Sequence, residues 1–154
     1  MSKFYLFYKK LKKKFYDAFF WRYNRIFFRL NGISFGRNLI VSGIPILKIS
    51  PKANVSIGND CFFTSGSVNP LCQNRKLTIC CRPGTVLQIG DHCGCSSVIF
   101  DIRKAVYIGN DVMVGGNVIF MDSNAHSLDY FERRNPIIDE NKKVDAEIVV
   151  GNDV

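Results

Sequence analysis

Residues 108–120 read IGNDVMVGGNVIF, and large apolar residues recur in this stretch at a step of six: Ile108, Val114 and Phe120. Its first four letters return as IGND at residues 57–60, IGDH at 89–92 and VGND at 150–153. A step of six is too long for a helix, whose apolar positions recur about every three to four residues, and too long for strand alternation. It predicts a coil of short flat faces, each with one large apolar residue pointing inward.

The polar letters of the repeat predict the corners of this coil. A sharp corner requires positive backbone dihedrals, which Gly, Asn and Asp adopt at least cost, so we expect Gly58-Asn59-Asp60 and its copies to supply them. Six cysteines lie between residues 61 and 95 without paired C-x-x-C spacing. We therefore expect buried thiols rather than a metal site, with Cys61 and Cys93 at small packing positions and Cys95 pointing inward.

The repeat and its corner motif resemble those of the hexapeptide-repeat acyltransferases over about residues 38–154. The resemblance implies a mainly β fold, a left-handed parallel β-helix with three six-residue faces per turn. We divide the chain into a basic, aromatic amphipathic helix at residues 1–32 and the β-helix at residues 33–154. The sequence stops inside a repeat at Val154, and the resemblance implies further coils beyond it.

The repeat is interrupted over residues 121–147, and this excursion loop contains His126, one of two histidines in the chain. The other, His92, occupies the fourth position of a repeat, where we expect a corner residue facing solvent. The resemblance implies that His126 is the general base of an acyl transfer, with Asp122 or Asp129 as its orienting carboxylate. A Cys93 nucleophile beside His92 is the competing mechanism, disfavoured because neighbours on a strand point to opposite faces.

The resemblance also implies acetyl-coenzyme A as acyl donor, a hydroxyl of a sugar or polysaccharide precursor as acceptor, and a homotrimer with sites between subunits. No metal is expected. For substrate contacts we predict Asn117 and Ser97 as hydrogen-bonding groups and Arg133 as a partner for an anionic group, although each also fits a purely structural role. Two alternatives remain: a carbonic-anhydrase-like metal enzyme of the same fold, which needs three histidines per site, and a non-catalytic scaffold.

The first thirty residues differ from the rest, with nine Lys or Arg against one acid and twelve of the twenty aromatic residues of the chain. Residues 2–30 predict a helix with one apolar face, the aromatic stripe: Phe4, Tyr8, Leu11, Phe15, Phe19, Tyr23, Ile26 and Leu30. Lysines and arginines on the other face suit an anionic membrane surface, and packing over the end of the coil is the alternative. Nucleic acid binding is not expected. Because the sequence shows neither a spanning segment nor a signal peptide, we expect a cytoplasmic protein. If the helix at residues 2–30 binds lipid, we expect the protein at the inner face of the membrane.

Overall fold

The computed structural model describes residues 3–154, except for the side chains of residues 3, 4, 13 and 17. The predicted helix start at residue 2 lies outside the described residues. One long helix, α1 (Lys3–Leu30), precedes a series of strands of two to four residues that pair in parallel. The fold is mainly β, a left-handed parallel β-helix, as the repeat and the resemblance predict.

The strands form three parallel sheets, which are the three faces of the coil. The first sheet contains β1 (Ile33–Phe35), β4 (Asn54–Ile57), β7 (Val86–Ile89), β10 (Ala105–Ile108) and β13 (Ile148–Val150). The second sheet contains β2 (Ile40–Ser42), β5 (Phe62–Thr64), β8 (Gly94–Ser96) and β11 (Met113–Val114). The third sheet contains β3 (Ile46–Ile49), β6 (Thr78–Cys81), β9 (Ile99–Ile102) and β12 (Ile119–Met121).

The copies of the repeat stack in register along the first sheet. Ile57 pairs with Ile89, Ile89 with Ile108, and Ile108 with Val150. The three isoleucines are at most 3% exposed, because each points into the coil. Ile108, Val114 and Phe120 lie on β10, β11 and β12, one on each sheet, so the six-residue step corresponds to one face of the coil and the predicted pattern is confirmed.

The corner glycines have a different role from the predicted one. Positive φ occurs at the fourth position of the repeat, with 54° at Asp60 and 57° at His92, whereas Gly58 and Gly90 do not have positive φ. A Cβ atom on Gly58 would lie 2.3 Å from Oδ1 of Asp91 and 2.5 Å from the carbonyl oxygen of Gly90. The prediction that glycine supplies the positive dihedral is therefore wrong: glycine is needed because the next coil approaches too closely for a side chain.

A ladder of side-chain hydrogen bonds explains why Asn or Asp follows this glycine. The Asn59 N–H donates to Oδ1 of Asp91 at 2.7 Å, the Asp91 N–H to Oδ1 of Asn110 at 2.8 Å, and the Asn110 N–H to Oδ1 of Asn152 at 2.8 Å. Each side chain satisfies a backbone donor of the preceding coil that the strands leave unpaired at the corner. The third position therefore joins the coils together.

A second interruption of the coil lies between β5 and β6, where the sequence analysis predicts none. Residues 65–77 leave the second coil and contain two short 3-10 helices, Gly66–Val68 and Pro70–Cys72. Asn69 begins the second of these, because its side chain accepts a hydrogen bond from the Leu71 N–H at 3.1 Å. Cys72, the last residue of this 3-10 helix, is buried.

Helix α1 covers the first coil with one face of its C-terminal half. Phe20, Asn24 and Phe28 are buried, and Phe28 belongs to the core of the coil. The Asn24 side-chain amide donates to the carbonyl oxygens of Val41 at 2.7 Å and Gly43 at 2.8 Å. Helix α1 therefore caps the coil, but the residues that contact the coil lie outside the predicted aromatic stripe.

Candidate functional site

The excursion loop leaves the coil after β12 and returns at β13, and its two ends are hydrogen-bonded to each other. The Ala146 N–H donates to the Asp122 carbonyl oxygen at 2.8 Å, and the Val144 N–H donates to Oδ1 of Asn124 at 2.8 Å. Between these ends the loop contains a 3-10 helix, Glu132–Arg134, and the short helix α2, Pro136–Lys142. The paired base and the internal helices give the loop a defined shape, which positioned catalytic groups require.

His126 lies in this loop beside a carboxylate from α2. Its Nδ1 atom is 2.7 Å from Oδ2 of Asp139, and its side chain is 65% exposed. The other oxygen of Asp139, Oδ1, accepts a hydrogen bond from the Ser127 N–H at 2.7 Å. Both oxygens of this carboxylate are thus directed at consecutive residues, and the position of the imidazole is fixed relative to α2.

The position of Asp139 follows from the way α2 begins. The Asn135 side chain accepts a hydrogen bond from the Ile137 N–H at 3.0 Å, and Pro136 occupies the first helical position. Asp139 therefore lies in the first turn, where the helix dipole favours a negative charge. This local signal places an ionised side chain against the His126 segment.

The protonation of the pair follows from the ionisation of Asp139. The hydrogen bond from His126 and, after it, the hydrogen bond from the Ser127 N–H hold the pKa of Asp139 below its usual value. An ionised carboxylate only accepts hydrogen bonds, so the proton of a neutral imidazole lies on Nδ1. Nε2 then carries a free lone pair on an exposed ring, which is the arrangement that a general base needs.

The two carboxylates predicted to orient His126 have other roles. Both carboxylate oxygens of Asp122 accept backbone N–H groups, from Arg103 and from Lys104, each at 2.7 Å, and the residue is 3% exposed. Asp129 accepts the Phe131 N–H at 2.7 Å. The carboxylate that contacts the His126 ring is therefore that of Asp139, in place of the predicted Asp122 or Asp129. Closeness in sequence was a poor guide, because Asp122 binds the backbone of Arg103 and Lys104 at another corner of the coil and Asp129 stabilises a local turn.

Arg133 is bound to the backbone next to His126. Its Nε donates to the Ser127 carbonyl oxygen at 2.6 Å, and one terminal nitrogen donates to the Leu128 carbonyl oxygen at 3.3 Å. The Ser127 hydroxyl also donates to the Glu132 carboxylate. These contacts hold the loop around the imidazole, and the predicted contact of Arg133 with an anionic substrate group remains a prediction.

Ser97 and Asn117 occupy corners of successive coils, with φ of 52° and 65°. The Ser97 hydroxyl is buried without a hydrogen-bond partner, and Ser97 is 0% exposed, so a substrate has no access to it in this structure. The Asn117 side-chain amide donates to the Leu71 carbonyl oxygen at 3.3 Å, while its own oxygen is buried without a partner. The substrate role of Asn117 stays a prediction, whereas Ser97 is better explained as a corner residue.

The other histidine lies at a corner, as the repeat predicts. His92 is exposed with a φ of 57°, its Nδ1 is 3.2 Å from Oδ1 of Asp111, and its Nε2 is 3.9 Å from Oδ2 of Asp60. Each ring nitrogen faces a carboxylate of an adjacent coil. His92 thus lies between two carboxylates at a corner of the coil, whereas His126 lies on the excursion loop beside one carboxylate.

Cys61, Cys93 and Cys95 pack inside the coil as expected, whereas Cys80 is half-buried. Cys61, Cys93 and Cys95 are at most 2% exposed, and all six thiols are free. Burial raises the pKa of Cys61 to about 11, and it also raises the pKa of Cys93. Since the thiolate is the reactive form, burial disfavours the competing mechanism with Cys93 as nucleophile. Within residues 3–154 no group of three or more His, Cys, Asp or Glu side chains is arranged to hold a metal ion.

The sequence and the fold were also compared with known proteins. No family model, curated protein or solved structure matches the chain significantly.

Proposed function

We propose that the protein is an O-acyltransferase that moves an acetyl group from acetyl-coenzyme A to a hydroxyl of a sugar or polysaccharide precursor. The observation that carries the proposal is the 2.7 Å contact between Nδ1 of His126 and Oδ2 of Asp139 on an exposed loop of a parallel β-helix. The resemblance of the repeats to the hexapeptide acyltransferases supplies the reaction class and the classes of donor and acceptor.

The chemistry needs one proton to move twice. Nε2 of His126 removes the proton of the acceptor hydroxyl as its oxygen attacks the thioester carbonyl carbon, and the Asp139 carboxylate stabilises the imidazolium that forms. When the tetrahedral intermediate collapses, the carbon–sulfur bond breaks and the imidazolium returns the proton to sulfur. The products are an ester and a free thiol, and no acyl-enzyme is required.

A homotrimer with sites between subunits is part of the proposal. Large apolar side chains of the excursion loop are exposed in the single chain, including Leu128 at 79% and Ile137 at 74%. Exposed apolar groups collected on one loop are typical of a surface that another chain covers. A neighbouring subunit would also enclose the otherwise open ring of His126.

The reaction can be tested by following thiol release from acetyl-coenzyme A in the presence of a panel of sugars and other hydroxyl compounds. The proposal predicts release that depends on both donor and acceptor, with equal amounts of acetyl ester and free thiol. The matched control is Asp139→Asn, which removes the carboxylate beside His126 but keeps a side chain of similar size in the loop. If no hydroxyl compound stimulates thiol release by the folded protein, the reaction class is wrong.

A further inference from the structure

The face of α1 opposite its docking face is open to solvent from Tyr8 to Leu30. Helical geometry places Phe20, Asn24 and Phe28 on one side and the aromatic stripe on the other, since successive residues are about 100° apart. Seven members of the stripe have described side chains, and all are exposed: Tyr8, Leu11, Phe15, Phe19, Tyr23, Ile26 and Leu30. The coil therefore uses one face of the helix, and among the described residues nothing from the coil covers the more apolar face.

The exposed area is large for a surface that meets only water. Phe15 is 70% exposed, Phe19 is 60% and Leu30 is 80%. Within α1, the described part of the stripe runs from Tyr8 to Leu30, which at about 1.5 Å per residue corresponds to a length of about 33 Å. A continuous apolar stripe of this length marks an interaction surface.

The charges around the stripe identify the kind of partner. Lys12, Arg22 and Arg29 are exposed on the same side of the helix as the stripe, so the prediction that the cations lie on the opposite face is wrong for these three. The first thirty residues hold nine cations against one acid. A second copy of α1 laid against the first would bring cation against cation without acidic counterparts, which is unfavourable. An anionic lipid surface complements the same charges, and lysines near such a surface each add about 1 kcal/mol of binding.

The helix has the properties of a surface-bound helix rather than a spanning one. In the part of the chain that the structure describes, no helix is long and apolar enough to cross a membrane. Aromatic and aliphatic side chains on one face with cations beside them suit the boundary between lipid headgroups and acyl chains.

We propose that α1 lies in the headgroup layer of an anionic membrane, with the aromatic stripe inserted and the opposite face holding the β-helix. This membrane contact does not depend on acyl transfer, so it is tested independently of the proposed function. Since α1 packs on the first coil and the His126 loop leaves the fourth, three coil spacings of about 4.8 Å separate them along the axis, roughly 14 Å. The helix therefore tethers the coil to the bilayer while the loop stays outside the acyl-chain region.

The test is co-sedimentation of the full chain with phosphatidylcholine vesicles and with vesicles that also contain phosphatidylglycerol, at low and high salt. We expect binding to the anionic vesicles that weakens as salt screens the cations. The double variant Phe15→Ser/Phe19→Ser should bind at least tenfold more weakly, because two exposed rings no longer enter the interface. The matched control Leu71→Ser removes an 81% exposed side chain from the coil and should bind as the wild type does.

A charge variant gives a second, independent measurement. Lys12→Gln/Arg22→Gln should weaken binding to anionic vesicles about fivefold per charge and leave the weak binding to phosphatidylcholine unchanged. If the phenylalanine variant loses its helical circular dichroism, the charge variant alone tests whether α1 binds the anionic membrane. Equal sedimentation of wild type and both variants overturns the proposal. The proposal is also overturned if the wild-type chain does not bind anionic vesicles and instead self-associates through Phe15 and Phe19.

Discussion

His126 and Asp139 are 13 residues apart in sequence, yet Nδ1 of the first lies 2.7 Å from Oδ2 of the second. The contact exists because α2 folds back inside the excursion loop and presents its first turn to the His126 segment. We predict that Asp139→Asn lowers kcat by about a hundredfold or more, since an amide that donates to Nδ1 favours the tautomer with the proton on Nε2. Steady-state kinetics would measure this, and an unchanged kcat would exclude the orienting role.

The same pair gives stability a pH dependence with a defined sign. The pKa of Asp139 is lowered in the folded chain, chiefly by the hydrogen bond from His126. The stabilisation is therefore present above the usual value of 3.8 and is lost as the pH falls through the folded-state pKa. Denaturant melts of wild type and Asp139→Asn should differ at neutral pH and converge in acid. A difference that grows in acid would contradict the lowered pKa.

The corner glycines should be intolerant of any side chain. In Gly58→Ala the new Cβ would meet Oδ1 of Asp91 at 2.3 Å, and the backbone of the next coil cannot move without breaking its strand pairing. We expect a loss of about 1–3 kcal/mol in the free energy of unfolding. Gly115→Ala is the matched control, because no atom lies within 4 Å of its Cβ position. Chemical denaturation of the two variants should separate them clearly; similar midpoints would refute the close-approach explanation.

The packing of α1 on the first coil depends on the hydrogen bonds of one buried side-chain amide, that of Asn24. Asn24→Ala would leave the carbonyl oxygens of Val41 and Gly43 without their donor, at a cost of about 1–3 kcal/mol. The neighbouring variant Tyr23→Ala changes an exposed residue of the aromatic stripe and should stay within about 0.5 kcal/mol of wild type. Thermal unfolding measures both. If Tyr23→Ala proved the more damaging, the helix would be docked through its other face.

The coil could be predicted because each repeat contacts only its neighbours, so the pattern at Ile57 recurs at Ile89 and Ile108 for the same physical reason. The segment at residues 65–77 was missed because it interrupts the pattern without a pattern of its own. Asp139 was missed for a related reason. Its contact with His126 depends on the path of the loop, which no periodicity encodes, although Asn135-Pro136 does signal the start of a helix there.

The sequence explains only one of the two residue preferences in the corner motif. The positive φ at Asp60 follows from residue preference, because Asp tolerates that region. The need for glycine at position 58 comes from the adjacent coil, whose carbonyl oxygen and Asp91 side chain occupy the space of a Cβ. Contacts between coils are non-local, and a single repeat read alone does not contain them.

The most direct test of the account compares the two histidines. His126→Ala and His92→Ala remove the same ring from exposed positions, one with a free Nε2 and one with both nitrogens facing carboxylates. Turnover of acetyl-coenzyme A with a hydroxyl acceptor should fall about a hundred to ten thousandfold in His126→Ala, measured under conditions where the variant is still folded, and should stay near wild type in His92→Ala. Wild-type turnover by folded His126→Ala would contradict the assignment of His126 as the general base.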